Sequence, residues 1–218
     1  MRMSHRRSLF AQDQSFPSEP TSWSEVTTLT SSTTYYFPES GWFQVIAIGG
    51  GGDGGTAWAS TGGSNWRYIV SGGGGGSGGI SSIKVAKKKN ESISISILDG
   101  GVAISSLGIS VTTGDTGGAA QVNSVGLGGA GGTASGGDLA VQDGGTGTNG
   151  SRLATSNWSN TTRYGGAGAT NVYMEYASTG GKGGDATLRS NGEVSTTPPG
   201  TGSVAMVVIL RGNTNKVT

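Results

Sequence analysis

Residues 41–48, GWFQVIAI, form an unbroken apolar run of aromatic and β-branched side chains that stops at the glycine tract 49–55. A run this short, bounded by glycine and lacking helical spacing, predicts a strand buried on both faces that feeds a glycine-rich excursion. A second such run, SVAMVVILR at 203–211, predicts another buried strand able to lie beside 42–48. Between them, WRYIV (66–70) leads into SGGGGGSGG (71–79). ISSIKVA (80–86) is joined through KKKN to ESISISILDG, where Ile93, Ile95 and Ile97 alternate with serine. Strict alternation marks a half-buried strand. The two segments are expected to pair as a hairpin whose turn holds Lys87, Lys88 and Lys89 in solvent. VAISSLGISVTT (102–113) continues as strand. No window keeps a helical period and glycine interrupts every interval, so the expected fold class is all-β, with β-sandwich-like strands and a glycine-rich body.

That body is expected between residues 114 and 202. GGAGGT (128–133) and GGKGGD (180–185) each contain two Gly-Gly-X triplets, and a period of three matches an extended polyproline II-type helix, here polyglycine II. Such a helix has no internal hydrogen bonds. With glycine on two of its three edges, neighbouring helices can approach and bond backbone to backbone; a flexible Gly/Ser linker would have the same composition. GGDLAVQDGG (136–145) and GGDATLRSNG (183–192) echo one another: Gly-Gly-Asp, a short strand, then an Asp-Gly or Asn-Gly turn. Hairpin chemistry of this kind favours a folded element over a spacer.

Residues 1–32 are Ser/Thr/Pro-rich without a sustained period, which divides the chain into an extended N-terminal arm (1–32) and a glycine-rich β domain (33–218). The arm is either a disordered tail or an anchor to a larger assembly. Phe16 and Trp23 are apolar residues that a solvated tail does not need, and Arg6, Arg7, Leu9 and Phe10 are the candidate anchor. Glycine supplies 44 of 218 residues, the hydrophobic content is 33%, charged residues are 12% and the net charge is +1. Such a chain has no broad field for nucleic acid or acidic membranes. No apolar run is long enough to span a bilayer, and no leader-like apolar segment follows the basic N-terminus, so neither membrane insertion nor signal-directed export is expected.

Candidate chemistry is sparse. The chain has no cysteine and one histidine, His5, so no thiolate or Ser-His-Asp site can be assembled from it. Asp138, Asp143 and Asp185 could pair for acid–base work, but aspartate beside glycine is foremost a turn residue that bonds its own backbone. GGKGGDATL nearly fits a calcium-binding nonapeptide, yet it occurs once and has Thr187 where a large apolar residue belongs. Lys182 lacks the following Ser/Thr of a phosphate loop. No enzymatic activity, cofactor or metal is therefore expected. What remains is recognition. Aromatic residues interrupt the glycine runs, and Trp58, Tyr68, Trp158, Tyr164, Tyr173 and Tyr176 are the candidate binding contacts, unless they only shield the glycine core. Trp66, inside a strand-like run, is expected in the core.

Taken in order, YYFPESGWFQVIAIGGGGDGG, SGGGGGSGGISSIKVAKKKNESISISILDGG, GGAGGTASGGDL and GTGSVAMVVIL resemble the glycine-rich domain of bacteriophage tail-fibre and tail-tip proteins over about residues 35–210. A Pro-x-x-Gly turn precedes the first strand of that family, as Pro38 to Gly41 do here. The resemblance implies a virion component made in the host cytoplasm, with packed polyglycine II helices and aromatic loops at its tip. Its implied partners are other virion proteins and a host-surface glycan or outer-membrane protein, in a homo-trimer or ring. A receptor-binding adhesin is the first expectation; a capsid or tail decoration protein, or head fibre, with a purely stabilising role is the alternative.

Overall fold

The apolar run 41–48 needs cover on both faces, and the fold supplies it from a second sheet on one side and a hairpin on the other. The structure is a computed structural model that describes residues 19–63 and 65–213. The candidate anchor residues Arg6, Arg7, Leu9 and Phe10 lie outside the described residues. The first half of the chain contains β1 (Ser22–Leu29), β2 (Thr33–Tyr36), β3 (Gly41–Ile48), β4 (Trp58–Thr61), β5 (Arg67–Val70), β6 (Ile80–Lys87), β7 (Ser92–Leu98), β8 (Gly101–Ile104) and β9 (Ile109–Val111). The second half contains β10 (Ala134–Ser135), β11 (Ala140–Gln142), β12 (Arg152–Thr155), β13 (Thr161–Arg163), β14 (Thr170–Tyr173), β15 (Tyr176–Thr179), β16 (Ala186–Leu188), β17 (Val194–Thr196) and β18 (Met206–Asn213). The fold is all-β and the sheets are antiparallel.

One sheet has the order β1-β18-β3-β6-β11 and the other β10-β9-β8-β7-β2. Between them Phe43, Val45, Ala47, Val207 and Ile209 meet Ile93, Ile95, Val102, Ile104 and Ile109 in the main core. On the opposite face of β3, Ile46 and Ile48 join Ile80, Val208 and Leu210 beneath Tyr173 and Tyr176. β18 runs beside β3 with Val208 opposite Ile46, so the two unbroken apolar runs are central neighbours. β7 has one buried face, as its serine alternation predicts.

Three local expectations are corrected. β6 and β7 do not pair: β6 lies against β3 in one sheet and β7 between β2 and β8 in the other, so the lysine turn crosses the sandwich. A short polar turn serves a hairpin and an inter-sheet corner equally well, and only the partners' positions decide between them. The hairpin is instead β7–β8, closed by Asp99 and Gly100 at φ 49° and 75°, the left-handed pair that a two-residue I′ turn requires. The boundary at residue 33 also fails for the end of the arm, because β1 pairs with β18 from Ser22 to Leu29 across a bulge between Glu25 and Thr27. Its Ser/Thr-rich, mostly exposed edge character hides it from periodicity. Finally, the echo at 183–192 does enter a hairpin, β16–β17, but Asp143-Gly144 is not a turn back: the chain runs on from β11 into a glycine segment.

Below the sandwich lies the glycine body, and its hydrogen bonds define a hexagonal lattice. Residues 71–79 form the central helix and are completely buried. Its N–H groups repeat with period three. Those of Gly72 and Gly75 donate to Gly184 and Gly181, those of Gly73, Gly76 and Gly79 to Gly118, Asp115 and Thr112, and those of Ser71, Gly74 and Ser77 to Ser151, Thr148 and Gly145. Its carbonyls accept from segments 126–132, 49–55 and 166–169 in the same rhythm. Six segments thus surround the seventh, each also bonded to the next around the ring, and 200–203 lies outside against 49–55 and 179–182.

This packing explains the composition. A central helix has neighbours in every direction, hence the almost pure glycine of 71–79. Its two β-carbons, at buried Ser71 and Ser77, lie toward segment 145–151, where their hydroxyls accept from the Ser151 and Gly145 N–H groups. A ring helix has one outward edge, hence Gly-Gly-X. Burial along 126–133 follows that rule, with Leu127, Ala130 and Thr133 outward and Gly126, Gly129 and Gly132 buried. The triplets at 128–133 and 180–185 are ring helices as expected, whereas the centre of the lattice is the earlier tract 71–79, outside the expected body.

Candidate functional site

Each lattice segment runs its length and hands over to a connection at one end or the other. Segments 49–55, 112–118, 144–150 and 180–184 run antiparallel to the central helix, away from the sandwich, and 126–132 and 165–169 run back with it. The connections 56–70, 119–125, 151–164 and 185–199 therefore gather at the end opposite the sandwich. There two three-stranded sheets, β12-β5-β4 and β13-β16-β17, enclose a small core of Ile69, Ala186 and Leu188 with Ala59, Leu153 and Val194 packed on it. This core orients everything around it.

Strand alternation sorts the candidate residues. Ile69 points into the core, so Tyr68 and Val70 lie on the opposite face of the sheet, where Val70 is buried. Register places Trp58 and Arg152 on either side of Val70, and Ser60 and Ala154 on either side of Tyr68. Trp58, Tyr68 and Arg152 thus share the outer face of one sheet. Trp66 stacks on Tyr68 with ring centroids 6.4 Å apart and is 44% exposed, which corrects its expected place in the core. It lies before β5 begins, where strand pairing no longer aims it inward.

Arg67, absent from the sequence candidates, ties two connections together. Its guanidinium lies 4.6 Å from the Trp158 ring centroid and its Nε donates to the Gly192 carbonyl at 2.6 Å, while Trp158 Nε1 donates to the Asn65 carbonyl at 2.8 Å. Gly192 has φ 80° and packs directly under the indole, which leaves no room for a side chain. Tyr164 is 68% exposed, and the Lys182 ammonium sits 5.5 Å from its ring centroid. Lys182 also pairs with Asp185. Burial pushes the Asp185 carboxyl up, but the Lys182 hydrogen bond, the Gly165 N–H and the Lys182 charge together outweigh it and hold the group below its ordinary value.

Tyr173 and Tyr176 lie at the other end of the lattice, on the sandwich. The Tyr173 hydroxyl accepts from buried Gln44 Nε2 at 3.1 Å, and the Tyr176 hydroxyl donates to Glu25 at 2.8 Å. Burial first, then the Glu25 carboxylate, raises the Tyr176 phenol, while hydrogen bonds from Tyr176 and Thr28 lower Glu25. The six aromatic candidates therefore separate into four at the loop end and two that cover a sheet.

The aspartates are occupied by the backbone. Asp138 accepts from Lys84 N–H, Asp143 from Ala134 N–H and Asp185 from Gly165 N–H. Among the described residues no group of three His, Cys, Asp or Glu side chains is placed to hold a metal ion. The loop end also contains a groove of about 520 Å³ beside Arg152, bounded by the connection 119–125. Scattered Asn, Ser, Val and Arg residues carried no sequence signal for it, because its walls come from segments some thirty residues apart.

No curated protein and no solved structure matches the chain. A family model described as a glycine-rich domain matches residues 27–216, from within β1 past the end of β18, and so spans the sandwich, the lattice and the loop end together. The chain belongs to this glycine-rich domain family.

Proposed function

We propose that the protein is a non-enzymatic display module of a bacteriophage particle, fixed to other virion proteins through its N-terminal arm and contacting the host surface with its loop end. One observation carries this reading: the chain enters through β1 on the sandwich, while Trp58, Trp66, Tyr68, Trp158 and Tyr164 stand at the opposite end of the glycine lattice. Tryptophan and tyrosine give large contact area at low entropy cost, and their faces stack on sugars or apolar edges. The resemblance of residues 35–210 to phage tail-fibre and tail-tip domains supports a virion setting.

The purified full chain is expected to adsorb to host cells and to compete with infection. Exchanging Trp66 and Tyr164, both exposed, for serine should abolish adsorption without changing the melting temperature. A chain that incorporates into particles but never adsorbs would refute the adhesin and establish the decoration role. Deleting residues 2–20 is expected to leave a folded domain that no longer enters particles; normal incorporation would refute the anchor.

A further inference from the structure

The walls of the groove beside Arg152 contain no aromatic residue and combine three chemistries. Ala119, Val125 and Leu127 supply apolar surface, Asn123 and Ser124 supply hydrogen-bonding groups, and Arg152 supplies a cation. Leu127 is 63% exposed and neighbouring Val122 39%, so apolar surface faces solvent at the rim. No acidic residue lines the groove, and among the described residues Arg152 has no ion pair. Trp58 stands on the same sheet face, two strand spacings or about 10 Å from Arg152.

We propose that this groove binds an acidic saccharide, one sugar residue bearing a carboxylate. A pyranose ring has an apolar face of C–H groups and a rim of hydroxyls, which match the Ala119–Val125–Leu127 surface and the Asn123 and Ser124 side chains. Its carboxylate meets the planar guanidinium of Arg152 through two parallel hydrogen bonds, the geometry in which arginine discriminates best. The volume falls within the range of small-ligand sites. Trp58 is placed to stack on the next sugar of a chain. This inference rests on the loop end being a recognition surface and names the class of molecule recognised.

The test titrates the full chain with methyl glucuronide and, in parallel, methyl glucoside, following the amide resonances of residues 119–127 and 152 together with tryptophan fluorescence. Saturable binding of the glucuronide is expected at roughly millimolar concentration, ordinary for a single sugar on a shallow site. The glucoside and Arg152→Ala should bind at least about tenfold more weakly, a difference near 1.4 kcal/mol. Arg152→Lys should fall between, and Ala119→Trp, which fills the groove and leaves the guanidinium intact, should bind neither sugar. Equal affinity for the two sugars, unchanged affinity in Arg152→Ala, or no saturable shift at these amides would overturn the proposal. Loss of glucuronide binding with cell adsorption intact sinks the groove alone, and the reverse result sinks the attachment role alone.

Discussion

Gly75, in the middle of the central helix, offers the sharpest test of the lattice. A β-carbon there would fall on the Gly52 carbonyl, with the carbonyl carbon and the Asp53 oxygen both at 2.6 Å. Unstrained carbon contacts need about 3.5 Å, and the Gly52 oxygen lies closer still than these two atoms, so segment 49–55 must retreat by well over about 1 Å to admit one methyl. That displacement stretches the bonds from Gly52 N–H to the Gly76 carbonyl and from Gly55 N–H to the Gly73 carbonyl, now 2.9 and 2.8 Å, beyond hydrogen-bonding range. Each buried group left without a partner costs about 1–3 kcal/mol. The lower flexibility of alanine in the unfolded chain returns only about 0.4–1 kcal/mol. With two donors and two acceptors left unpaired, the net loss is at least about 3 kcal/mol, which for a chain of this size lowers Tm by at least about 6 °C. Gly41→Ala is the matched control, since a β-carbon at Gly41 meets nothing within 4 Å. Thermal unfolding followed by circular dichroism reads both. If Gly75→Ala melts like Gly41→Ala, the tract 71–79 is not held by six neighbours and the lattice account fails.

Hydrogen exchange followed residue by residue should find the amides of 72–79 among the slowest in the chain, although they belong to no strand; exchange at the rate of open loops would contradict their bonding. Arg67→Ala removes the contact with Trp158 and the bond to Gly192, and should lower stability by about 1–2 kcal/mol. Faster exchange should appear at 157–160 and 189–193 only, and a loss of protection spreading to 72–79 would show that the two ends are not independent. Asp185 has a lowered pKa in the folded state, so its contribution is present above the unfolded value of about 4 and is lost as pH falls through the folded value. Asp185→Asn should therefore flatten the decline in stability as pH falls below about 4, and unfolding curves that stay parallel to the wild type there would exclude the Lys182–Asp185 pair as a source of acid sensitivity.

The separation of sandwich, lattice and loop end bears on the proposed function through rigidity. Backbone bonds in three directions fix the spacing of the lattice segments, and the loop-end core of Ile69, Ala186 and Leu188 fixes the small sheets that stand on them. Side chains such as Trp66 and Tyr164 can then project into solvent without depending on one another for support. An aromatic surface held in this way loses little entropy on contact.

Several features were legible along the chain because they depend on local spacing. Unbroken apolar runs at 41–48 and 203–211 mark strands covered on both faces, the serine–isoleucine alternation of 92–98 marks a strand covered on one, and Gly-Gly-X marks a helix with one free edge. Pairing was not legible. The lysine turn could close a hairpin or cross a sandwich, and β1 became a strand only because β18, some 180 residues later, presents an edge to it. The candidate site divides in the same way. Aromatic residues between glycine runs can be named from sequence, but whether Tyr173 lies with Tyr164 or at the far end depends on which way each lattice segment runs. Arg67 and Arg152 acquire meaning only once Trp158 and the connection 119–125 are placed beside them. The sequence alone determined the kind of each segment, since hydrophobic period and the absence of a β-carbon act within a few residues. Tertiary structure decided the centre of the lattice and the grouping of the loops, because a polyglycine helix has no internal bonds and takes its place only from the neighbours that complete them.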